Sequence, residues 1–153
     1  MSVFEEIQQL LTEKHIEYHL SEHEKVRTSE EAAKARGLDP KTGAKAMVVK
    51  LPEEYILCVL PGNCVIDWKK LKLHLGVKRI RLATEEEAES ITHVEMGCVP
   101  PLGNVLHLKT YLDPKVLENE WINFNPGSRT RTIQMRSSDL VTLAEPEILP
   151  FTL

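Results

Sequence analysis

Two apolar runs that lie close together constrain this chain more than any other feature. Residues 43–51 read GAKAMVVKL and residues 54–61 read EYILCVLP, with only a short polar turn between them. Short apolar runs bounded by turn residues are typical of buried strands. The two runs therefore predict a hairpin in the interior of a β-sheet, and the rest of the chain is expected to fold around it.

Helix-start signals occur on both sides of this hairpin. A hydroxyl residue followed three positions later by glutamate is a capping box, which predicts the first turn of a helix. The three such pairs are Ser2 with Glu5, Thr28 with Glu31, and Thr84 with Glu87. Asp67 and Ser137 predict the starts of two further helices, because both residue types are good N-caps.

Strand patterns occupy most of the remaining sequence. Strands are predicted over residues 16–20, 77–83, 105–112, 121–125 and 129–135, and the Asn-Pro-Gly-Ser sequence at 125–128 predicts that the last two pair as a hairpin. Hairpins between isolated helices indicate an α+β domain around a mixed sheet. With 153 residues, no repeat and no linker, residues 1–153 are expected to form one domain.

Composition excludes several classes of protein. The apolar runs are far shorter than the ~20 residues that a membrane-spanning helix needs. The segment MSVFEEIQQLL has neither the basic start nor the cleavage site of a secretory signal, so a cytoplasmic protein is expected. The three cysteines show no Cys-x-x-Cys spacing, which predicts neither a disulfide framework nor a zinc site.

Charge is distributed unevenly along the chain. The formal net charge of −4 argues against a protein that coats long nucleic acids. Residues 69–81, however, read KKLKLHLGVKRIR and contain six lysines and arginines but no acid. This stretch is either a solvated helix face followed by a strand or a local patch that attracts phosphate groups.

Reactive groups with a recognisable spacing are scarce. The six histidines lie in different predicted elements, and the alternating apolar residues at 16–20 favour a strand there, so no metal site is predicted. Cys98 is a candidate nucleophile, since His93 or His107 is able to activate a nearby thiol. A Cys98-dependent hydrolase is therefore one of the hypotheses that the sequence leaves open.

Two other features call for an explanation. Lys45 lies at the start of a strongly apolar strand, where its ammonium group must either reach water or serve a purpose. Residues 96–104 read MGCVPPLGN, and neither a helix nor a central strand can pass through adjacent prolines. This loop is either a rigid turn that packs beneath a strand or a support for backbone groups that face a substrate.

Four segments, in order, resemble one known family. They are TSEEAA at 28–33, GAKAMVV at 43–49, LPGNCVIDWKKLKLHLGVKRIRLAT at 60–84 and GCVPPLG at 97–103. The chain is similar over about residues 16–143 to the YbaK/ProX family, which comprises domains like the prolyl-tRNA synthetase editing domain and includes stand-alone aminoacyl-tRNA deacylases.

The resemblance implies both a fold and an activity. The implied fold has a central, partly barrel-like mixed sheet surrounded by short helices. The implied activity is trans-editing, in which the ester of a small misacylated amino acid on tRNA is hydrolysed without a cofactor. The implied partners are the tRNA acceptor end and an aminoacyl-tRNA synthetase.

The resemblance also implies roles for particular residues. The family's functional lysine corresponds to Lys45, and Thr28 would lie beside the substrate pocket. The family's GxxxP loop corresponds to residues 97–101, whose backbone N–H groups would polarise the substrate carbonyl as an oxyanion hole does. The residues of this loop and its continuation that are implied in substrate binding are Gly97, Cys98, Val99, Pro100, Pro101 and Gly103. Since prolines have no N–H, the donors would come from Cys98, Val99, Leu102 or Gly103.

Departures from the family pattern leave alternatives open. Ala46 follows the lysine where many relatives have a polar residue, and His93 stands where glycine is common. The amino acid removed is therefore not specified, and alanine, cysteine, serine and proline-like substrates all stay open. A non-catalytic module that docks on a synthetase or on tRNA is the alternative, because a fold does not determine a function.

Overall fold

The protein was analysed as a computed structural model, which describes residues 1–23 and 38–153. The capping box predicted at Thr28 and Glu31, and the helix predicted after it, lie outside the described residues. Across the two described ranges, no helix is both long enough and apolar enough to cross a bilayer.

The described ranges contain five α-helices and eight strands. The helices are α1 (Val3–Glu13), α2 (Trp68–Leu75), α3 (Glu85–Thr92), α4 (Gly103–Leu106) and α5 (Ser137–Ala144). The strands are β1 (Tyr18–Glu22), β2 (Ala44–Lys50), β3 (Tyr55–Pro61), β4 (Arg81–Leu82), β5 (Lys109–Leu112), β6 (Trp121–Phe124), β7 (Arg131–Arg136) and β8 (Glu147–Ile148). Short 3-10 helices at Pro40–Thr42 and Pro114–Glu118 precede β2 and follow β5.

The predicted buried hairpin is confirmed as the centre of a five-stranded mixed sheet. Strand order is β4-β2-β3-β5-β8, in which β2 pairs antiparallel with β3 and β4 while β5 pairs parallel with β3 and β8. Six of the seven β3 residues are buried. The chain folds around this hairpin, as its apolar sequence predicts.

A second, three-stranded antiparallel sheet has the order β1-β7-β6. It contains the predicted hairpin of β6 and β7, and an isolated bridge between Gly43 and Asn123 joins it to the start of β2. The mixed α+β architecture is therefore as predicted. The strands form two bridged sheets and do not close into a barrel.

Side chains of β2 alternate between two separate cores. Ala44 and Val48 lie in a first core, which also contains residues of α1, α5 and the three-stranded sheet. Val49 lies in a second core with Leu71 of α2 and Phe151 of the C-terminal segment. Successive side chains of a strand point to opposite faces, so the five-stranded sheet separates the two cores.

A buried carboxylate fixes the C-terminal segment. Asp113 is 1% exposed, and its Oδ2 accepts hydrogen bonds from the backbone N–H groups of Phe151 at 2.9 Å and Thr152 at 3.0 Å. Its Oδ1 accepts a third from the N–H of Lys115 at 2.9 Å. Burying a carboxylate is costly unless hydrogen bonds compensate it, and these three backbone donors do so.

Three sequence predictions of local structure need correction. The strand predicted over 105–112 begins only at Lys109, because α4 occupies its first two residues and is followed by the C-cap His107, whose φ of 60° is left-handed. The strand predicted over 77–83 is reduced to Arg81–Leu82. Ser137 is the first helical residue of α5 and not its cap, since its hydroxyl donates to the Asn119 carbonyl at 2.6 Å.

The capping box at Thr84 and Glu87 is confirmed and belongs to a larger polar cluster. Arg81 donates to both carboxylate oxygens of Glu87, at 2.7 and 3.1 Å, and the Tyr55 hydroxyl donates to the same group. Hydrogen bonds from Arg81, the Thr84 backbone and Tyr55 hold the pKa of Glu87 well below its ordinary value of 4.5. The cluster therefore ties α3 to β3 and β4.

The lowered pKa of Glu87 predicts a loss of stability in acid. Ionised Glu87 favours the folded state, so its contribution is complete above pH 4.5 and is lost as pH falls toward the lower pKa of the folded protein. We expect Glu87→Gln to lower Tm at pH 7 and this difference from wild type to shrink by pH 3. Thermal melts across this range test the prediction, with Glu86→Gln on the same helix as control. A difference in Tm between Glu87→Gln and wild type that stays constant with pH would contradict the prediction.

Candidate active site

Lys45 lies at the end of β2 that is close to the Gly62 turn. Its cross-strand partner is Leu60, and paired residues of an antiparallel ladder share a face, so the Lys45 side chain leaves the sheet on the side of the second core. The side chain is half-buried, and its Nζ donates to the carbonyl of Gly62 at 3.5 Å. Among the described residues, no carboxylate forms an ion pair with it.

The surroundings of Lys45 disfavour its charged form. Partial burial lowers the pKa of the Lys45 ammonium from its ordinary value of 10.5, and the charge of an ionised Cys64 side chain acts in the opposite direction to a smaller extent. A cation that has lost part of its hydration and has one distant acceptor gains free energy when an anion or a polarised oxygen approaches. Lys45 is therefore suited to bind a negatively charged or polar ligand group.

The loop with adjacent prolines begins with a tight turn. The N–H of Cys98 donates to the Glu95 carbonyl at 2.9 Å, and Gly97 occupies the third position of this turn with a φ of 94°. A positive φ at that position is the requirement of a type II turn, which glycine meets without strain. Pro100 and Pro101, which follow, are both buried.

A long-range contact that the sequence did not predict holds this turn. Arg129 donates from Nε to the Glu95 carboxylate at 2.6 Å and from Nη2 to the Met96 carbonyl at 3.0 Å. The hydrogen bond to Glu95 raises the pKa of Arg129. Because 34 residues separate the two charges, only the fold brings them together, and no local pattern in the sequence indicates the pair.

The set of candidate oxyanion donors becomes smaller in the structure. The Cys98 N–H already donates to Glu95, which leaves Val99, Leu102 and Gly103. Within the described ranges, the N–H groups of these three residues have no acceptor. The Cys98 side chain is 1% exposed, so a substrate ester has little access to its thiol.

Gly103 has a packing role whatever its part in binding. A Cβ at this position would lie 1.7 Å from the Thr110 Oγ1 and 2.3 Å from the Leu108 carbonyl oxygen. No side chain fits there unless α4 moves away from β5. Glycine at 103 is therefore explained by the close approach of these two elements.

The described contacts do not bring Lys45 and the loop together. Val99 and Leu102 belong to the first core, whereas Lys45 shares its face with Leu60 of the second core. Thr28, the remaining predicted site residue, lies outside the described residues. No described contact joins the Lys45 side chain to the loop, so their convergence on one substrate stays a prediction.

The other titratable candidates are distributed as follows. His15 follows α1 with a φ of 55°, the ring of His19 packs against that of Trp121 with 5.5 Å between their centroids, and His23 is hydrogen-bonded to Thr132. Within residues 1–23 and 38–153, no group of three His, Cys, Asp or Glu side chains is arranged to hold a metal ion. Cys58 is fully buried, and burial raises the pKa of its thiol to about 12.

Comparisons with known proteins agree on one family. Residues 23–143 match the family model described as "Aminoacyl-tRNA editing domain". The chain is 29% identical over 147 residues to the Multifunctional Ser/Thr-tRNA deacylase ProXp-y of Escherichia coli, which covers 93% of this chain and 88% of that protein. It is 28% identical to the proline–tRNA ligase of Caldicellulosiruptor bescii over 83% of this chain, but this match spans only 21% of the ligase.

Solved structures support the fold. A structure titled as a putative trans-editing enzyme for prolyl tRNA synthetase superposes with a TM-score of 0.86 and covers 100% of this chain and 98% of that one. The hypothetical protein APE2540 superposes with a TM-score of 0.87 over 96% of this chain and 99% of its own. Their identities of 24% and 20% support similarity of fold.

The packing of Gly103 generates a stability prediction. We expect Gly103→Ala to lower the free energy of unfolding by about 3 kcal/mol, at the upper end of the cost of overpacking. Gly76→Ala is the matched control, because nothing lies within 4 Å of an added Cβ there and only its φ of 65° opposes the change. This control should cost about 1 kcal/mol. Urea denaturation measures both, and equal losses would refute a packing role.

Proposed function

Because the chain belongs to the aminoacyl-tRNA editing domain family, we propose that it is an aminoacyl-tRNA deacylase that hydrolyses the ester between a small misattached amino acid and its tRNA. The match to residues 23–143 supports this class of activity. A trans-editing role is proposed from the match to the E. coli deacylase, which aligns over 93% of this chain and 88% of its own length.

The surroundings of the Lys45 ammonium support a role for this residue in the reaction. The Lys45 ammonium is half-buried and has a lowered pKa, and within residues 1–23 and 38–153 its one hydrogen-bond acceptor is the Gly62 carbonyl at 3.5 Å. A protein gains no stability from an incompletely hydrated and unpaired cation, and such groups are concentrated at functional sites. We assign Lys45 to the negatively charged or polar end of the substrate, either the terminal adenosine phosphate or the ester.

To catalyse this reaction, the protein mainly has to position the ester and stabilise the negative charge that develops on its carbonyl oxygen. Water adds to the ester carbonyl carbon, the bond from that carbon to the ribose oxygen breaks, and the ribose oxygen takes up a proton. The products are the free amino acid and a tRNA with its terminal hydroxyl restored. Because an ester is already activated, oriented N–H donors and one cation are sufficient to stabilise the developing oxyanion.

The loop supplies the proposed N–H donors. Val99 and Gly103 are the candidates, because their N–H groups have no acceptor among the described residues, whereas Leu102 is 0% exposed. The turn at Gly97 and the hydrogen bonds from Arg129 fix the direction of this segment. Preorganised donors stabilise a transition state better than mobile ones, since they need no reorganisation during the reaction. Gly97, Cys98, Pro100 and Pro101 act in this proposal through the shape of the loop.

Substrate and partners are proposed at a coarser level. The substrate is the acceptor end of a misacylated tRNA, and the printed name of the E. coli relative makes seryl and threonyl esters the first to test. An aminoacyl-tRNA synthetase is the second proposed partner, since the family includes segments of proline–tRNA ligases. The proposed compartment is the cytoplasm, in which tRNAs are charged and edited.

The central test is the substitution of Lys45 by methionine. We expect Lys45→Met to lower the deacylation rate on a mischarged tRNA by about 100-fold, the usual cost of losing one electrostatic contact in the transition state. Tm should stay level or rise, because methionine removes the cost of partly burying a charge. Lys50→Met on the same strand is the control, since Lys50 Nζ contacts the carbonyls of its own turn.

The result also separates the proposal from a non-catalytic docking module. Such a module would leave every ester of a mischarged panel intact in the wild type, and that outcome refutes deacylation. Equal deacylation rates for Lys45→Met and wild type would instead support the activity but refute a role for Lys45 in it.

The cysteine hydrolase hypothesis has its own test. Cys98 is 1% exposed and its N–H is engaged, so we expect Cys98→Ala to retain deacylation within about threefold of wild type. Rates with and without a thiol-alkylating reagent provide a second measurement. Abolition of activity by both treatments would show that the thiol is the nucleophile.

A further inference from the structure

We infer that the phosphate backbone of the tRNA acceptor arm binds a surface formed by Lys69, Lys72, Lys78 and Arg79, hereafter the basic surface. This inference rests on the proposed function for the identity of the RNA. The evidence for it is the charge of these four side chains and their lack of partners among the described residues, which do not depend on the chemistry at Lys45.

Charge is strongly segregated in this part of the chain. Residues 61–81 contain six of the 19 lysines and arginines of the chain but only one of its 23 acids, Asp67. The Asp67 carboxylate is occupied in capping α2, where it accepts from the N–H of Lys70 at 3.1 Å. A positive region on a protein of net charge −4 attracts a polyanion locally, although the molecule as a whole does not.

Two of the six cations are used within the fold. Lys70 donates from Nζ to the Thr152 carbonyl at 3.0 Å, and Arg81 is paired with Glu87 at 2.7 Å. The other four, which form the basic surface, make no side-chain hydrogen bond or ion pair with any residue in the described ranges. The side chains of Lys69, Lys78 and Arg79 are exposed, and that of Lys72 is partly exposed.

The basic surface lies on the same side of the five-stranded sheet as Lys45. Leu71 and Leu75 pack α2 against the second core, and Leu60, the cross-strand partner of Lys45, belongs to that core. Only residues 63–66 separate Gly62, which accepts from Lys45, and Asp67, which caps α2, so these two positions are at most about 18 Å apart. One acceptor arm is long enough to contact both.

Exposed apolar side chains on α2 raise the question of a protein partner. Leu73 is 83% exposed and Trp68 is 36% exposed. Isolated exposed apolar residues are normal on soluble proteins, and the cations that surround these two would have to lose their hydration in a protein interface. Four unpaired cations without a free acid on their own segment fit a phosphate backbone better.

The test compares two triple variants that lose the same charge. The first is Lys69→Gln with Lys72→Gln and Lys78→Gln, and the control is Lys14→Gln with Lys50→Gln and Lys109→Gln. Binding of a fluorescent tRNA that carries no amino acid is measured by anisotropy from about 50 to 300 mM salt, and deacylation is measured at saturating enzyme.

The expected result follows from the salt dependence of binding. Each phosphate contact contributes about 0.7–0.9 to the slope of the logarithm of the binding constant against the logarithm of the salt concentration. We expect the first variant to bind at least about tenfold more weakly at low salt, with a slope smaller by about 2.

Each outcome has one reading. Weaker binding and a smaller slope for the first variant, with the control unchanged, supports the basic surface as the RNA contact. Equal slopes for the first variant and wild type overturn it, and so does an equal loss in both variants, which would mean that only net charge matters. If wild type binds tRNA through this surface but deacylates nothing, the basic surface stands and the proposed function fails. If the wild type deacylates its substrate and the first variant binds tRNA as tightly as the wild type, the proposed function stands and the basic surface fails.

Discussion

The two-residue period of β2 is the constraint on which the rest of the structure depends. It places Ala44 and Val48 in the first core while Val49 enters the second. A shift in pairing of one residue would exchange every side chain between these faces, so the register with β3 is strongly specified. Lys45 and Lys50 are the charged exceptions in this pattern, and they lie near the two strand ends, where a charge can stay in partial contact with solvent.

The candidate groups for catalysis are held in different ways. The loop at 97–101 is fixed by a turn, by two buried prolines and by the hydrogen bonds from Arg129 to Glu95 and Met96. Lys45 is held mainly by its strand, and its ammonium has few contacts. The rigid part is thus the one proposed to point donors at a carbonyl, and the adaptable part is the one proposed to meet charge on a large substrate.

Local signals in the sequence predicted the parts of the fold that local chemistry decides. The capping boxes at Ser2 and Thr84 formed as expected, and so did both hairpins, because their caps and turn residues act within a few positions. The run at 105–112 was misassigned, since a short apolar run fits a buried helix as well as a strand. The position of Lys45 in an apolar strand drew attention to it, and the family resemblance supplied its expected function. The pairing of Arg129 with Glu95 was not predictable from the sequence, because it depends on tertiary structure.

The anchoring of the C-terminal segment by Asp113 makes the last residues part of the interior. Protein termini usually tolerate trimming, because few contacts hold them. Here, removal of residues 151–153 would strip two of the three donors from a carboxylate that is 1% exposed, and would also remove the carbonyl that accepts from the Asp67 N–H. Damage at the tail would therefore reach the start of α2, some 84 positions earlier in the chain.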